Sequence, residues 1–225
     1  MSNNKLINLK NKGSKYWIEN LVNYHSIYFN DRIKKLDSNI GEIKWITSLD
    51  KNDGCCINTK ELIKDILNYS ENNSNFWPCS EPKWSAVGID NKGSIILVEA
   101  KAHRAETRSM CRITSDSNKA KIKNIMKQTF NSISEDKLFP EEVWMNEYFQ
   151  FASRLSIFNK LKKDNINVKY VLLNIINDPT FIRTTKAEWD RHYEIVMNKL
   201  FGKSEYPLDV YRLDIIGEEN QFSIV

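Results

Sequence analysis

The chain contains no apolar run long enough to cross a membrane, so we expect no membrane partner. Its first residues, MSNNKLINLKNKG, lack the apolar stretch of a secretory signal, which favours a cytoplasmic location. The sequence has only three histidines, and it has neither a glycine-rich phosphate loop nor a nucleophile elbow. These absences give little support to a small-molecule enzyme on an unrelated α/β fold.

The cysteines are few and do not form a recognisable site. None of the four belongs to a C-x-x-C pair, and the adjacent Cys55 and Cys56 suit neither a zinc knuckle nor an easily formed disulfide. We interpret all four as reduced thiols without a chemical role. The formal net charge of +4 is compatible with a polyanionic partner, but many ordinary proteins carry a similar charge.

No internal repeat or long linker divides the 225 residues. We expect an N-terminal helical extension over residues 1–75 and an α/β core over residues 76–225, together forming one compact domain. Apolar residues at helical spacing predict one helix from Lys15 to Lys35. A second helix is predicted to begin near Asn58, because Asn58 and Glu61 have the spacing of a capping box.

The stretch WSAVGIDNKGSIILVEAKAH, residues 84–103, predicts a β-hairpin whose turn is DNKG. This turn suits a three-residue loop with Gly93 in the left-handed position, which makes Asp90 the partner of Ser94. Counting back along both strands places Ser85 opposite Glu99. A two-residue loop would shift that pairing by one residue.

A mixed sheet follows from the elements after the hairpin. Strands alternate with helices there, which implies crossover connections and an α/β fold with helices flanking the sheet. The helix near residue 186 is predicted to begin with Thr184 or Thr185 as its cap. The predicted helices are Asn118–Phe130, Glu141–Lys163 and Lys186–Leu200, and the predicted strands are Val168–Ile176 and Asp209–Ile216.

The second hairpin strand places ionisable residues on an otherwise apolar element. Because side chains alternate along a strand, Glu99, Lys101 and His103 share one face. A carboxylate there can bind Mg²⁺, and a neighbouring lysine can orient a metal-bound water and stabilise anionic charge. The alternative is an edge strand with a solvated face and a cross-strand ion pair.

The VEAKAH stretch, preceded by PKWSAVG, resembles the PD-(D/E)xK, or restriction-endonuclease-like, superfamily. It is similar in particular to bacterial proteins with a W-D-A…V-E-A-K-A-H…E pattern, and the resemblance continues through YFQFASRL and NDPTFIRTTKAEW, from Trp77 to Trp189. The resemblance implies a mixed sheet between helices and metal-dependent hydrolysis of nucleic acid by an endonuclease using Mg²⁺ or Mn²⁺. It also implies that Glu99 is a metal ligand and Lys101 the catalytic lysine.

Ser85 departs from the pattern, because it stands where the superfamily has a metal-binding aspartate. Three interpretations stay open. Another carboxylate, from Glu61, Glu81 or Glu106, could replace the aspartate. Activity could be weak or need Mn²⁺. Alternatively, catalysis has been lost, and the chain is an inactive nuclease-fold protein that binds nucleic acid or another protein.

Polar residues of the helix at 141–163 complete the candidate site. Arg154 could clamp a phosphate and Gln150 could hold a water in the cleft, or both could belong to a solvated helix flank. His103 could contact a phosphate or a metal-bound water, or simply end its strand with a hydrogen bond.

Basic residues follow the E-x-K strand at steps of four residues. If both stretches are helical, Arg104 and Arg108 begin one basic face and a row of lysines forms another, although such runs are often only solvated. Their position after the strand favours binding to a nucleic-acid backbone, DNA being the expected partner. The two rows are Arg104, Arg108 and Arg112, and Lys119, Lys123 and Lys127.

A homodimer is compatible with the sequence.

Overall fold

The structure is a computed structural model that describes residues 12–46, 57–58, 76–78, 82–135 and 138–218. Its helices are α1 (Gly13–Tyr24), α2 (Ser26–Lys34), α3 (Asp116–Ile133), α4 (Phe149–Lys163) and α5 (Lys186–Phe201). Its strands are β1 (Ile43–Ile46), β2 (Ile57–Asn58), β3 (Lys83–Trp84), β4 (Ala86–Asp90), β5 (Ile95–Lys101), β6 (Val168–Ile176) and β7 (Val210–Ile216).

Five strands form one mixed sheet in the order β1-β4-β5-β6-β7. The pairs β1–β4 and β4–β5 are antiparallel, whereas β5–β6 and β6–β7 are parallel. Parallel neighbours need crossover connections, and here those connections contain helices. Strands β2 and β3 form a separate antiparallel pair. The predicted α/β class, with a mixed sheet flanked by helices, is confirmed.

Each face of the sheet has its own apolar core. Helices α1 and α2 pack on one face, against Ile96, Val98 and Ala100 of β5. Helices α3, α4 and α5 pack on the other face, against Ile95 and Leu97. Strand β6 is buried throughout and contributes alternate side chains to both cores, which explains its continuous apolar sequence. By the same alternation, Glu99 and Lys101 lie on the face covered by α3, α4 and α5.

The hairpin turn has the predicted form. Gly93 has a φ of 83°, its N–H donates to the Asp90 carbonyl at 3.0 Å, and the Asp90 N–H donates to Ser94 at 3.0 Å. The predicted register holds from Ile89 opposite Ile95 to Ala86 opposite Val98. The ladder ends there: the Ser85 N–H donates to the Val98 carbonyl at 2.9 Å, so Ser85 is not paired with Glu99.

Two predicted helices are interrupted. The helix predicted from Lys15 to Lys35 is two helices separated at His25, whose φ of −130° and ψ of 32° leave the helical region. The helix predicted from Glu141 to Lys163 breaks at Tyr148, after a π-helical turn over Val143–Glu147. Neither break contains glycine or proline, so residue propensity gave no sign of it.

Other local predictions have mixed outcomes. Asn58 lies in β2 opposite Lys83, and the helix predicted to begin near it, with Glu61, falls on residues outside the described ranges. The proposed boundary at residue 75 also lies outside them. Thr185, not Thr184, caps α5 in a full capping box with Glu188. Among the described cysteines, Cys111 is a free thiol.

The basic rows differ from each other. Only a short 3₁₀ turn, Arg104–Thr107, follows β5, and Arg108 is extended with φ −80° and ψ 135°. The expected helical face of arginines is therefore wrong. The lysine row does lie on a helix, α3, and its members are exposed. Within the described part of the chain, no helix combines the length and apolar character needed to span a membrane.

Candidate functional site

The carboxylate of Glu99 lies in the core between the sheet and α4, where the residue is 2% exposed. Its Oε1 lies 3.1 Å from the Lys101 ammonium and 2.9 Å from Nη1 of Arg154. Its Oε2 accepts a hydrogen bond from the Tyr170 hydroxyl. Both carboxylate oxygens therefore have donors. We call Glu99, Lys101, Gln150, Arg154 and Tyr170 the Glu99 cluster.

Arg154 reaches the cluster from the second turn of α4. Besides its bond to Glu99, it donates from Nε and Nη2 to the Lys83 carbonyl, at 3.1 and 2.7 Å. Its guanidinium carbon lies 6.0 Å from the centre of the Trp84 ring. A planar guanidinium donating in two directions while lying near an aromatic ring has little freedom to turn. Arg154 thus links α4 to β3 and β5 at once.

Gln150 stands one helical turn before Arg154 and accepts from the Lys101 ammonium at 3.1 Å. The orientation of this turn is set by Ser109. Its hydroxyl accepts from the Gln150 N–H at 2.7 Å, and its carbonyl accepts from the Phe149 N–H at 3.0 Å. A distant residue therefore caps α4 at the Tyr148 break, which orients the first turns of the helix toward β5.

Tyr170 was not among the predicted site residues. It lies on β6 opposite Leu97, on the face shared with Glu99, and its ring packs edge-on against Trp84 with centroids 5.1 Å apart. A tyrosine within the apolar run VKYVLLNII was the available signal, since a buried hydroxyl needs a partner. Without the β5–β6 register, the sequence did not indicate which partner.

The cluster keeps its carboxylate ionised. Burial alone would raise the pKa of Glu99, but the charges of Arg154 and Lys101 and the Tyr170 hydrogen bond together lower it. Burial and the neighbouring Glu99 charge raise the pKa of Tyr170 well above its ordinary value, so Tyr170 stays a donor. One anion between two cations leaves the cluster with a net charge of about +1 at neutral pH.

The described residues do not fit a magnesium ion. The Ser85 hydroxyl accepts from the Ala100 N–H at 3.0 Å, and both Glu99 oxygens already face donors. Within the described ranges, no three His, Cys, Asp or Glu side chains are grouped as a metal site. A divalent ion at Glu99 would meet the Arg154 guanidinium. Of the other proposed carboxylates, Glu106 instead accepts from the Ala102 N–H, and Glu61 and Glu81 lie outside those ranges.

The remaining predicted residues lie just beyond the end of β5. His103 Nε2 is 3.3 Å from the Glu106 carboxylate, which also accepts from the Ala102 N–H at 3.1 Å. Arg104 is half exposed and pairs with Glu188 of α5 at 3.1 Å. Arg108 is exposed. The structure therefore brings Glu99, Lys101, Gln150 and Arg154 together, and places these three basic residues outside that group.

A histidine that the sequence analysis did not single out, His192, lies close to Arg104 and Arg108. His192 Nε2 is 2.8 Å from the Thr107 hydroxyl, which donates to the Arg104 carbonyl. Burial, and then the positive charges of Arg104 and Arg108, lower the pKa of His192 to about 4. His192 is therefore neutral at physiological pH and adds no charge to this surface.

We expect Glu99→Gln to lower the free energy of unfolding by about 3 kcal/mol, because it leaves two buried cations without an anion. The lowered pKa sets the pH dependence: the stabilisation is present above the ordinary carboxyl pKa of 4.5 and is lost as pH falls through the lower folded value. Urea unfolding at several pH values measures both effects. Glu194→Gln, an exposed site on α5, is the control and should change little. Equal stability of E99Q and wild type at pH 7 would contradict a buried ionised Glu99.

His192→Gln should remove part of the acid sensitivity of the fold. The unfolded histidine takes up a proton near its ordinary pKa of 6.5, whereas the folded one does so only near 4, so wild-type stability falls as pH drops between these values. Because His192 is only half buried, we expect a loss of about 1–2 kcal/mol over that range. The measurement is the difference between the variants in urea unfolding at pH 7 and pH 4.5. A constant difference would contradict a neutral, folded His192.

Comparison of the chain with protein-family models, with curated proteins and with solved structures finds no match.

Proposed function

We propose that this protein binds nucleic acid through a restriction-endonuclease-like core, and that the Glu99 cluster holds a backbone phosphate without a divalent metal. One observation supports this proposal above the others. The cations next to the ionised Glu99 are the side chains of Lys101 and Arg154, at 3.1 and 2.9 Å. The charge balance that a metal would supply is already provided by the chain itself.

The mixed sheet flanked by helices supports this proposal. An antiparallel hairpin, β4–β5, continues into a parallel pair, β5–β6, and the connection contains α3 and α4. Helix α4 supplies Gln150 and Arg154, which are 49 and 55 residues from their partners in the chain. Four residues assigned to one site from the sequence thus meet in space, which supports a binding or catalytic use of the cluster.

The cluster suits an anion in charge and in free donors. Its net charge of about +1 lies in a largely dehydrated site, where a phosphate is attracted more strongly than in water. Two of the three Lys101 N–H groups have Glu99 and Gln150 as acceptors, which leaves one for a ligand. The exposed Gln150 presents its oxygen to Lys101, so its amide N–H₂ group can also donate to the ligand.

Exposed basic side chains extend the positive surface beyond the cluster. Arg104 and Arg108 follow β5 directly, and the exposed lysines of α3 lie further along the chain. Such side chains contact phosphates without reading bases, and each contact releases condensed counterions. Binding of this kind is expected to weaken steeply as salt is raised.

A second candidate function is metal-dependent phosphodiester hydrolysis. It is favoured by the ionised state of Glu99 and by the lysine and glutamine beside it. It would require Arg154 to leave the carboxylate and a further acid, such as Glu61 or Glu81, to join Glu99 around Mg²⁺ or Mn²⁺. These two functions predict opposite effects of divalent ions.

Wild-type protein should bind a labelled DNA duplex in the presence of EDTA, with an affinity that falls as salt is raised. Lys101→Met should weaken binding about tenfold, because a charge-assisted hydrogen bond to phosphate is lost. Lys44→Met removes the same charge from the exposed face of edge strand β1 and is the matched control. Fluorescence anisotropy measures both, with circular dichroism confirming the fold. Equal affinity of K101M and wild type would contradict phosphate binding at the cluster.

Ser85→Asp distinguishes the two candidate functions. We expect neither wild type nor S85D to relax supercoiled plasmid in Mg²⁺ or Mn²⁺, because Arg154 and Lys101 retain the Glu99 carboxylate. Agarose gels with the E99Q variant as a background control measure this. Metal-dependent relaxation by wild type or S85D that E99Q abolishes would favour the hydrolytic function. Binding that EDTA removes would do the same.

A further inference from the structure

The loop between β6 and α5 carries a half-exposed aromatic residue near its middle. Phe181 is 50% exposed, and its neighbour Ile182 is 47% exposed. The Lys12 ammonium lies 4.9 Å from the centroid of the Phe181 ring, and the His103 ring lies 5.4 Å away. Arg183 follows in the chain and is exposed. We call Lys12, His103, Arg104, Phe181 and Arg183 the Phe181 patch.

The exposure of Phe181 is not the result of an unattached loop. Asp178, wholly buried, accepts at Oδ1 from the Trp17 indole at 2.8 Å and from the Thr180 N–H at 2.8 Å. The Thr180 hydroxyl in turn accepts from the Gly13 N–H at 3.0 Å, at the start of α1. At the other end, the Asn177 N–H donates to the Thr184 carbonyl at 2.9 Å. These hydrogen bonds fix both ends of the loop, and the apolar side chains of Phe181 and Ile182 between them are exposed to solvent.

The patch lies at the carboxyl ends of the parallel strands, where open α/β sheets commonly bind ligands. Strand β5 ends at Lys101, opposite Asn174 of β6, so the chain leaving β5 and the loop leaving β6 emerge side by side. The contact of His103 with Phe181 joins the two. The patch therefore lies beyond the end of the strand that carries Glu99 and Lys101.

We propose that the Phe181 patch binds single-stranded nucleic acid, with a base stacked on Phe181 and the flanking phosphates held by Lys12, Arg104 and Arg183. This inference rests on the proposed function and names the form of nucleic acid that the surface suits. An aromatic face among cations is the combination by which proteins bind single strands without reading sequence. A duplex keeps its bases stacked inside and has none to offer the ring.

The surrounding charges favour this ligand over an apolar partner. Lys12 lies over the Phe181 ring, and Arg104 and Arg183 are exposed cations that follow His103 and Phe181 by one and two residues in the chain. The nearby carboxylates of Glu106 and Glu188 are already paired with His103 and Arg104. The flexible Lys12 side chain lies over the ring, so a stacking base would displace its ammonium toward the adjoining phosphate. Base and phosphate are therefore bound by neighbouring groups.

The test compares a labelled oligothymidylate of about 12 nucleotides, within the usual site size, with a duplex of the same length, in EDTA. Phe181→Ala should weaken binding of the single strand about tenfold and binding of the duplex less than about twofold. Phe181→Trp should bind the single strand at least as tightly as wild type does. Lys12→Gln should lower the salt slope by about one.

Tyr24→Ala is the matched control. Tyr24 is an aromatic residue, 77% exposed, at the far end of α1, roughly 16 Å along the helix from Gly13. It should leave both affinities unchanged.

Failure of this inference is distinguishable from failure of the proposed function. Unchanged single-strand affinity in F181A, with duplex binding still sensitive to K101M, would overturn the patch alone. Equal losses for both ligands in F181A would also overturn it. Absence of binding to either ligand by wild type would contradict both. Binding of wild type to anionic phosphatidylglycerol vesicles that F181A abolishes, with oligonucleotide affinity unchanged, would assign the patch to a lipid surface instead.

Discussion

The ionised carboxylate of Glu99 is the group on which the arrangement of the Glu99 cluster depends. Its charge is tolerated in the core because Arg154 and Lys101 lie about 3 Å away and Tyr170 donates to its second oxygen. These partners come from β5, β6 and α4, so one buried charge fixes the helix against two strands. Arg154 extends the same constraint to the Lys83 carbonyl. The contacts that hold α4 against the sheet are therefore the same contacts that form the candidate site.

The parts of the fold that local chemistry determines were predictable from the sequence. The DNKG turn specified Gly93 in the left-handed region, and TTKAEW placed the start of α5 at Thr184 or Thr185, of which Thr185 is the cap. The breaks at His25 and Tyr148 were not predictable. The second break is set by Ser109, which pairs with the backbone on both sides of Tyr148. A break imposed by a distant segment leaves no glycine or proline in the helix itself.

The candidate site, like the fold, was predictable from the sequence only in part. Glu99 and Lys101 share a face because a strand has a period of two, and Gln150 and Arg154 share one because a helix turn has about four residues. Those pairings follow from spacing alone. Their meeting does not, since it depends on how Ser109 orients α4. Tyr170 was missed for a related reason: only the pairing of β5 with β6 brings its hydroxyl to Glu99.

A guanidinium and a divalent metal ion can both neutralise a buried carboxylate, but they make different chemistry possible. A metal has exchangeable positions and lowers the pKa of a bound water, which yields a nucleophile. A guanidinium has no coordination position that a water could occupy, and it stays protonated throughout the accessible pH range. In the proposed function, a phosphate at Lys101 and Arg154 would therefore be held by charge without an activated water beside it. Because Arg154 is also bonded to the Lys83 carbonyl and lies near Trp84, hydrolysis would first require that this one side chain leave its place.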